Sequence, residues 1–233
     1  MRNLFSPLKD FVDLLYPSVC HNCGNWLVVG EKSICLHCIN EIPLTGFHFQ
    51  QGNPTAKLFW ARVPVSYATS YMFFHETGIA RKLLHQIKYK GGQDLAIDLG
   101  EMFAQELLQA DPTFKPDLIL PVPLHPRKLR QRGFNQSEAI ATGMSKVLQT
   151  ELNTDILVRQ SNNKSQTKKG RFDRWSNVDG IFGLKNTNIP KSAHILLVDD
   201  VITTGATLEA CVNALLKLGD IKVGIAGLAM AKS

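Results

Sequence analysis

The chain has 233 residues, of which 44% are hydrophobic and 20% are charged. This composition is typical of a folded protein with a sizeable core and excludes a disordered chain, and no apolar run approaches the roughly 18 residues of a membrane-spanning helix. The formal net charge of +6 comes from two basic segments, 125–132 and 159–174, on a mildly acidic remainder. Such segments indicate either a binding site for a polyanion or two solvated loops.

The N-terminal segment combines a helical apolar stripe with interspersed charges. The stripe consists of Leu4, Phe5, Leu8, Phe11, Val12 and Leu15. It predicts a helix that docks the following cysteine segment onto the rest of the protein. The alternative, a helix lying on a membrane surface, needs more cations than Arg2 and Lys9 supply. Because Lys9, Asp10 and Asp13 interrupt the apolar stretch that a signal peptide requires, we expect a cytoplasmic protein with reduced thiols and no membrane insertion.

Four of the five cysteines form two Cys-x2-Cys pairs separated by eleven residues. They are Cys20, Cys23, Cys35 and Cys38. Two such pairs supply the four soft ligands of a tetrahedral zinc ion, and in a reducing compartment two disulfides are the weaker explanation. His21 and His37 lie inside the pairs and leave a mixed Cys/His site as an alternative ligand set. We expect structural rather than catalytic zinc, because the segment is too short to fold on its own core.

The remaining chain alternates between strand-like and helix-like runs. The predicted strands are 63–74, 117–122, 155–159, 194–199 and 222–230, and the predicted helices are 77–88, 94–110, 137–148 and a helix containing Cys211 on its apolar face. This alternation predicts a parallel α/β sheet flanked by helices. Turn-rich sequence near residues 45–60 suggests a boundary there. We therefore divide the chain into an N-terminal helix and zinc-binding subdomain, 1–55, and an α/β domain, 56–233.

Residues 195–208 carry the strongest chemical signal. A buried strand ends in two carboxylates and runs into a turn rich in hydroxyls that opens a helix. Ligands of open α/β sheets bind at the carboxyl ends of strands, and a helix N-terminus offers free N–H groups to a phosphate. Carboxylates accept hydrogen bonds from sugar hydroxyls. The predicted contacts of a ribose 5-phosphate are Asp199, Asp200, Thr203, Thr204, Gly205, Ala206 and Thr207. No Gly-x4-Gly-Lys-Ser/Thr motif supports a P-loop ATPase, and a purely structural turn is the remaining alternative.

Residues 195–207 resemble the phosphoribosyl pyrophosphate (PRPP) loop of type I phosphoribosyltransferases, with a fitting residue at every position. Residues 117–122 are similar to that family's first strand, 121–125 lie where its pyrophosphate loop lies, and 160–180 lie where its flexible hood loop lies. The resemblance implies a type I phosphoribosyltransferase-like parallel sheet that binds PRPP together with Mg²⁺. The two basic segments then fall on the loops that contact pyrophosphate.

Further motifs narrow the resemblance to the ComF family of competence and GntX-like proteins. They are the paired Cys-x2-Cys spacing, Ile-Lys-Tyr-Lys-Gly at 87–91, Arg-Gln-Arg-Gly-Phe-Asn-Gln at 130–136, Gln-Thr at 166–167 and the 198–206 segment. The sequence departs near 167–176, where Lys-Lys-Gly-Arg-Phe-Asp-Arg-Trp replaces the family's Leu-Ser-Arg-x-Glu-Arg. The resemblance implies a role in DNA uptake, either for natural transformation or for use of DNA as a nutrient, with single-stranded DNA and other DNA-uptake proteins as partners.

Two sets of residues are candidates for the remaining contacts. Those for pyrophosphate are Lys88, Leu124, His125, Arg127, Arg130 and Arg132, and those for nucleic acid are Lys168, Lys169, Arg171 and Arg174. His125 is either a proton carrier or a hydrogen-bonded loop histidine. The nucleophile is unidentified, which leaves catalytic turnover open.

Two other functions compete with this interpretation. One is a metabolic phosphoribosyltransferase that transfers ribose 5-phosphate from PRPP to a base or an amine. The other is a non-catalytic nucleic-acid-binding module, in which Phe134, Phe172 and Trp175 stack on bases. Each of these aromatic residues has packing as its alternative role.

Overall fold

The structure, a computed structural model, describes residues 18–160, 181–185, 187 and 189–231. The N-terminal apolar stripe and the nucleic-acid candidates Lys168, Lys169, Arg171 and Arg174 lie outside these residues. Within the described residues, no helix combines the length and the apolar character needed to cross a bilayer.

The strands of the described chain form one parallel sheet and one small antiparallel hairpin. They are β1 (Tyr67–Phe74), β2 (Leu118–Pro121), β3 (Glu151–Leu152), β4 (Leu157–Arg159), β5 (Phe182–Leu184), β6 (His194–Ile202) and β7 (Lys222–Ala231). The parallel sheet has the order β1-β7-β6-β2-β3, with β6 at its centre. The predicted parallel α/β sheet is therefore confirmed.

Helices connect these strands and cover both faces of the sheet. They are α1 (Leu36–Asn40), α2 (Pro54–Lys57), α3 (Ile79–Tyr89), α4 (Gln93–Ala110), α5 (Pro126–Arg132), α6 (Gln136–Leu148) and α7 (Ala206–Leu215). The apolar stripes predicted α3, α4, α6 and α7. The short α5 escaped prediction because it buries none of its residues and therefore has no apolar period.

Residues of β6 alternate between two hydrophobic cores. Leu196 and Val198 pack on the face covered by α3, α4 and α6, and Ile195 and Leu197 pack on the face covered by α7. All four are fully buried, as expected for a strand covered on both faces. This central strand fixes the position of the residues that follow it.

Two glycines let α4 and α6 cross at close range on the first of these faces. A Cβ atom at Gly100 would lie 2.1 Å from the Ile140 carbonyl oxygen, and one at Gly143 would lie 2.0 Å from the Ile97 carbonyl oxygen. Because any side chain would collide with backbone, both positions require glycine. The close crossing brings the first turn of α6 against the sheet.

Several predicted strands differ from the structure, and of segment 63–74 only Tyr67–Phe74 is strand. Only part of segment 155–159 is strand, and β4 pairs antiparallel with β5, outside the parallel sheet. The parallel neighbour of β2 is instead the two-residue β3, which is too short to show a period. The predicted strand 194–199 continues to Ile202, because the long β7 still offers partners at Ala229 and Met230.

Segment 43–55 covers the free edge of β1. The Thr45 N–H donates to the Tyr71 carbonyl at 2.9 Å, and the hydroxyls of Thr55 and Ser70 are 2.9 Å apart. Covering an edge strand in this way prevents pairing with other chains. The predicted domain boundary between residues 55 and 56 stays a prediction. Segment 43–55 lies on the N-terminal side of this boundary but packs against the α/β domain.

Candidate functional site

The two adjacent carboxylates of β6 are held by residues from two helices. The Ser137 hydroxyl, in the first turn of α6, donates to Asp199 Oδ1 at 2.9 Å, and the Asp200 N–H donates to the same oxygen at 2.9 Å. Asp200 Oδ2 lies 2.8 Å from Lys88 Nζ, in the last turn of α3. Elements far apart in sequence therefore converge at the carboxyl edge of the sheet.

The surroundings of Asp199 change its protonation. Burial and then the charge of Asp200 raise the pKa of Asp199 to about 7, although the hydrogen bond from Ser137 and the nearby Lys88 oppose this shift. Near neutral pH the carboxylate pair therefore carries less than its full negative charge. This lowers the repulsion that two carboxylates would exert on a phosphorylated ligand.

The turn after β6 forms a small cradle in front of α7. It contains Gly205 in the left-handed conformation at φ 74°, as the residue that precedes the helix. A cavity of about 30 Å³ is lined by Asp199 and residues 201–208. Thr203, Thr204 and Thr207 are exposed around it. Because the N–H groups of a first helical turn have no partner within the helix, this cradle offers donors and hydroxyls to an anion.

Two residues from the segment before β1 support this turn from behind. A Cβ atom at Gly205 would lie 3.0 Å from the ring of Phe59. Arg62 donates to the Thr204 carbonyl at 2.8 Å and forms an ion pair with Glu209 in the first turn of α7. Sequence analysis missed both residues, since nothing in the local sequence around residue 60 indicates contact with a turn 142 positions later.

The loop after β2 leaves the sheet beside these carboxylates, because Pro121 pairs with Val198. His125 ends the loop, and its Nδ1 accepts from the Arg127 N–H at 3.1 Å, which caps α5. This contact agrees with the hydrogen-bonded role of His125. Leu124 is half-buried in the same loop.

The basic pyrophosphate candidates have different surroundings. Lys88 is in the carboxylate cluster, whereas Arg127 and Arg130 are exposed on α5. Arg132 donates to Gln136 Oε1 at 2.6 Å and lies over the ring of Tyr89. Arg132 is thus tied to the residue next to Ser137, close to the start of α6.

The four cysteines before α2 form a second chemical centre. The Sγ atoms of Cys20, Cys23, Cys35 and Cys38 all lie within 4.8 Å of one another, and those of Cys23 and Cys35 are 3.8 Å apart. Zn–S bonds of about 2.3 Å in a tetrahedron place sulfurs roughly 3.8 Å apart, so the four thiols fit a zinc ion.

Neighbouring groups and the two histidines define the ligand set of this centre. Burial raises the pKa of the Cys20 thiol, but N–H groups of Cys23, Cys35 and Asn22 outweigh it and lower the pKa to about 6, which favours the metal-binding thiolate. Among the described residues, the cluster comprises cysteines alone. His37 instead faces Glu41 at 3.4 Å. The structure therefore favours the four-cysteine set over a mixed one.

Side chains dock this cysteine segment on α3 and α4. Ser33 donates to the buried Asp98, Lys32 pairs with Glu101 at 2.5 Å, and Gln86 donates to the His21 carbonyl at 3.2 Å. Ile34 is fully buried in the same core as these helices. The cysteine segment and the sheet therefore share one hydrophobic core.

Comparisons with known proteins found a matching family model and a similar solved structure. The family model described as "Phosphoribosyl transferase domain" matches residues 135–233. A solved purine phosphoribosyltransferase from Pyrococcus horikoshii is 22% identical, with a TM-score of 0.37 over 61% of this chain and 75% of that chain.

Curated relatives extend the similarity to the N-terminal part. "DNA utilization protein YhgH" of Escherichia coli O157:H7 is 27% identical over 231 residues, which cover 91% of this chain and 96% of the relative. "Competence protein F" of Haemophilus influenzae is 34% identical over 50% of this chain and 51% of its own length. "Competence protein ComFC" of Bacillus subtilis is 30% identical over 60% of this chain and 54% of its own length. The chain is therefore similar over most of its length to a protein named for DNA utilization and over part of it to proteins named for competence, and its residues 135–233 match the phosphoribosyl transferase domain model.

Proposed function

We propose that this protein binds Mg²⁺-PRPP at the carboxyl edge of its sheet and serves in the uptake or utilization of DNA. One observation carries the first part: adjacent carboxylates at the end of β6 lead directly into the Gly205 cradle at the N-terminus of α7. The second part rests on relatives that are named for competence and for DNA utilization.

The carboxylate pair and the Gly205 cradle have different roles in this proposal. Asp199 and Asp200 accept hydrogen bonds from the ribose hydroxyls, and residues 203–207 hold the 5-phosphate. The cradle suits a phosphate because it combines the free N–H groups of the first turn of α7 with exposed threonine hydroxyls. Ser137 and Lys88 orient the carboxylates, and Arg62 and Phe59 keep the turn in its binding conformation.

The pyrophosphate group lies toward the loop after β2 and the start of α5. Its proposed contacts are Lys88, Leu124, His125, Arg127, Arg130 and Arg132. The lysine and the three arginines among them place positive charge where negative charge accumulates when a pyrophosphate leaves. Mg²⁺, when bound with PRPP, adds further charge neutralisation at the pyrophosphate oxygens.

Zinc has a structural role in this proposal. Cys20, Cys23, Cys35 and Cys38 hold it, and all four ligand positions are then filled by protein, as in structural zinc sites. The ion fixes the cysteine segment against α3 and α4. We also propose, from the sequence alone, that nucleic acid is contacted by Lys168, Lys169, Arg171 and Arg174.

Calorimetric titration with Mg²⁺-PRPP tests the ligand directly. The wild-type protein should bind, and Asp199→Asn plus Asp200→Asn should weaken binding at least about tenfold, the effect of losing 1.4 kcal/mol. The matched control, Glu151→Gln plus Asp155→Asn, removes two exposed carboxylates in and just after the edge strand β3 and should bind normally. No binding by the wild type at millimolar PRPP would contradict the proposal. Release of pyrophosphate on addition of a base or an amine would instead favour a metabolic transferase.

A further inference from the structure

A basic strip runs along α3, where it is exposed, and continues onto the end of α5 at the half-buried Arg132. It consists of Arg81, Lys82, His85, Tyr89 and Arg132, which we call the α3 strip. Positions 81, 85 and 89 recur every four residues and therefore lie on one side of the helix, about 12 Å from end to end. The opposite side of α3 is buried against the sheet through Leu83, Leu84 and Ile87.

The charges of this strip are available to a ligand. Arg81, Lys82 and Arg132 form no ion pair with any carboxylate in the described part of the chain. By contrast, Lys32 and Lys146 elsewhere on the surface both pair with Glu101. The strip also continues into the other cations of α5, which are Arg127, Lys128 and Arg130 and are exposed. A line of unneutralised cations on this scale attracts a polyanion.

An aromatic ring lies within this line of cations. Tyr89 is 61% exposed, with the His85 ring 5.0 Å away on one side and the Arg132 guanidinium 5.7 Å from its centroid. Nothing in the fold of α3 requires a tyrosine there, because the side chain is outside the core. Exposed aromatic rings between cations are the typical platform on which unpaired bases stack.

The two ends of the strip meet the two chemical centres of the protein. At Arg81 and Lys82 the strip borders a cavity of about 230 Å³ shared with His21 and Asn22 of the cysteine segment. At its other end, Lys88 of the same helix contacts Asp200. A chain-like ligand on the strip would therefore extend from the zinc centre to the carboxyl edge of the sheet.

We propose that the α3 strip binds a single-stranded polynucleotide, with phosphates on Arg81 and Lys82 and a base stacked on Tyr89. This inference rests on the proposed role in DNA uptake. It assigns DNA binding to a surface that is separate from the basic residues of segment 160–180. An acidic peptide would use the charges but not the ring, and a duplex keeps its bases stacked within the helix. The aromatic position therefore favours an unpaired strand.

Fluorescence anisotropy with a labelled oligothymidylate of about 16 nucleotides tests the proposal across a range of salt concentrations. Arg81→Ala plus Lys82→Ala should lower the affinity and reduce the salt slope by about 1.4, since each phosphate contact on a single strand contributes about 0.7. Tyr89→Ala should lower the affinity about tenfold with the salt slope unchanged, and Tyr89→Phe should restore it.

Matched controls separate this surface from general charge and from the PRPP site. Lys191→Ala plus Lys217→Ala removes two exposed cations at the opposite edge of the sheet and should leave DNA binding nearly unchanged. The Arg81→Ala plus Lys82→Ala variant should bind Mg²⁺-PRPP like the wild type, which also shows that it is folded. Oligouridylate in a parallel titration distinguishes RNA from DNA as the strand that the surface prefers.

Two results would overturn the proposal. If the wild type binds oligothymidylate and both strip variants bind it equally well, the surface is wrong while the DNA role stands. If a duplex of the same length binds more tightly than the single strand and Tyr89→Ala changes nothing, stacking on Tyr89 is excluded. Absence of any binding at low salt would remove both the strip and the proposed DNA role, whereas PRPP binding is measured independently.

Discussion

The four-cysteine cluster and the carboxyl edge of the sheet are built in opposite ways. The four cysteines lie between residues 20 and 38, at a spacing that is visible in the sequence. The edge instead combines Lys88 of α3, Ser137 of α6 and the Asp199–Asp200 pair of β6. A local motif assembles the first centre, and the packing of the whole sheet assembles the second.

This difference extends to what stabilises each region. The cysteine segment buries Ile34 and three of its cysteines in the shared core, but Trp26 is 75% and Val28 is 67% exposed, so it relies less on apolar burial than the sheet does. The edge extends from a strand whose residues 195–198 are fully buried. We therefore expect the stability of the four-cysteine cluster to depend on a bound metal, and the stability of the carboxyl edge to depend on charge and backbone conformation. The following changes separate these two effects.

Loss of the zinc ligands should have the largest effect. Cys20→Ser plus Cys38→Ser removes two buried ligands, and zinc sites of this type contribute about 10–16 kcal/mol of apparent binding energy. Because the cysteines share a core with α3 and α4, the melting temperature should fall by roughly 10 °C or more. Metal analysis and thermal unfolding, with and without a chelator, measure both effects.

Cys211→Ala is the matched control for this prediction. Cys211 is fully buried against the other face of the sheet, so its loss should cost about 1 kcal/mol and leave one zinc per chain. Equal zinc content in the wild type and the Cys20→Ser plus Cys38→Ser variant would refute the assignment of the ligands.

The next largest effect should come from Asp199→Asn, and it depends on pH. Because burial and Asp200 raise the pKa of Asp199 to about 7, the folded state loses stability as pH rises from about 4 to 7 and then levels off. Asparagine keeps an oxygen for the Ser137 and Asp200 donors but cannot ionise. The variant should be more stable than the wild type by roughly 2–4 kcal/mol at pH 8, at 1.36 kcal/mol per pKa unit.

Urea unfolding at pH 5 and pH 8 measures this difference, which should shrink by more than half at pH 5. Asp155→Asn changes an exposed carboxyl group and serves as the reference. A gain in stability that is equal at both pH values would mean that Asp199 ionises normally in the folded protein.

Sequence alone accounts for the parts of this structure that depend on a local pattern. Three features have a recognisable spacing or periodicity in the sequence: the cysteine pairs, the apolar stripes of four helices and the strand–turn–helix at 195–208. The structure contains each of them. Strand β5, the antiparallel partner of β4, and the basic helix α5 were missed because neither has a recognisable apolar period. Arg62 and Ser137 were missed for another reason, since their roles arise only when distant segments pack together.

Gly205→Ala tests the turn itself. The residue has φ 74°, a conformation that costs a side chain roughly 1–2 kcal/mol, and the new Cβ atom would press on the Phe59 ring at 3.0 Å. We expect a loss of stability of that size together with weaker Mg²⁺-PRPP binding. Gly219→Ala also adds a Cβ atom at positive φ, 96°, but with open space around it, so it should lower stability alone. Equal PRPP affinities of the two variants would show that the turn does not hold the phosphate.

Arg62→Gln should have the smallest effect, and the way this effect divides between stability and PRPP affinity is informative. The Arg62–Glu209 ion pair is partly exposed, so its loss should cost at most about 1 kcal/mol of stability. Arg62 also holds the carbonyl of Thr204, and without this bond the turn should bind Mg²⁺-PRPP roughly threefold more weakly, a change of about 0.6 kcal/mol. Lys217→Gln, an exposed cation at the opposite edge, should change neither quantity. Calorimetry and thermal unfolding on the same samples separate the two effects. A stability loss without an affinity loss would mean that the turn keeps its shape without Arg62, and that β6 and α7 alone determine its geometry.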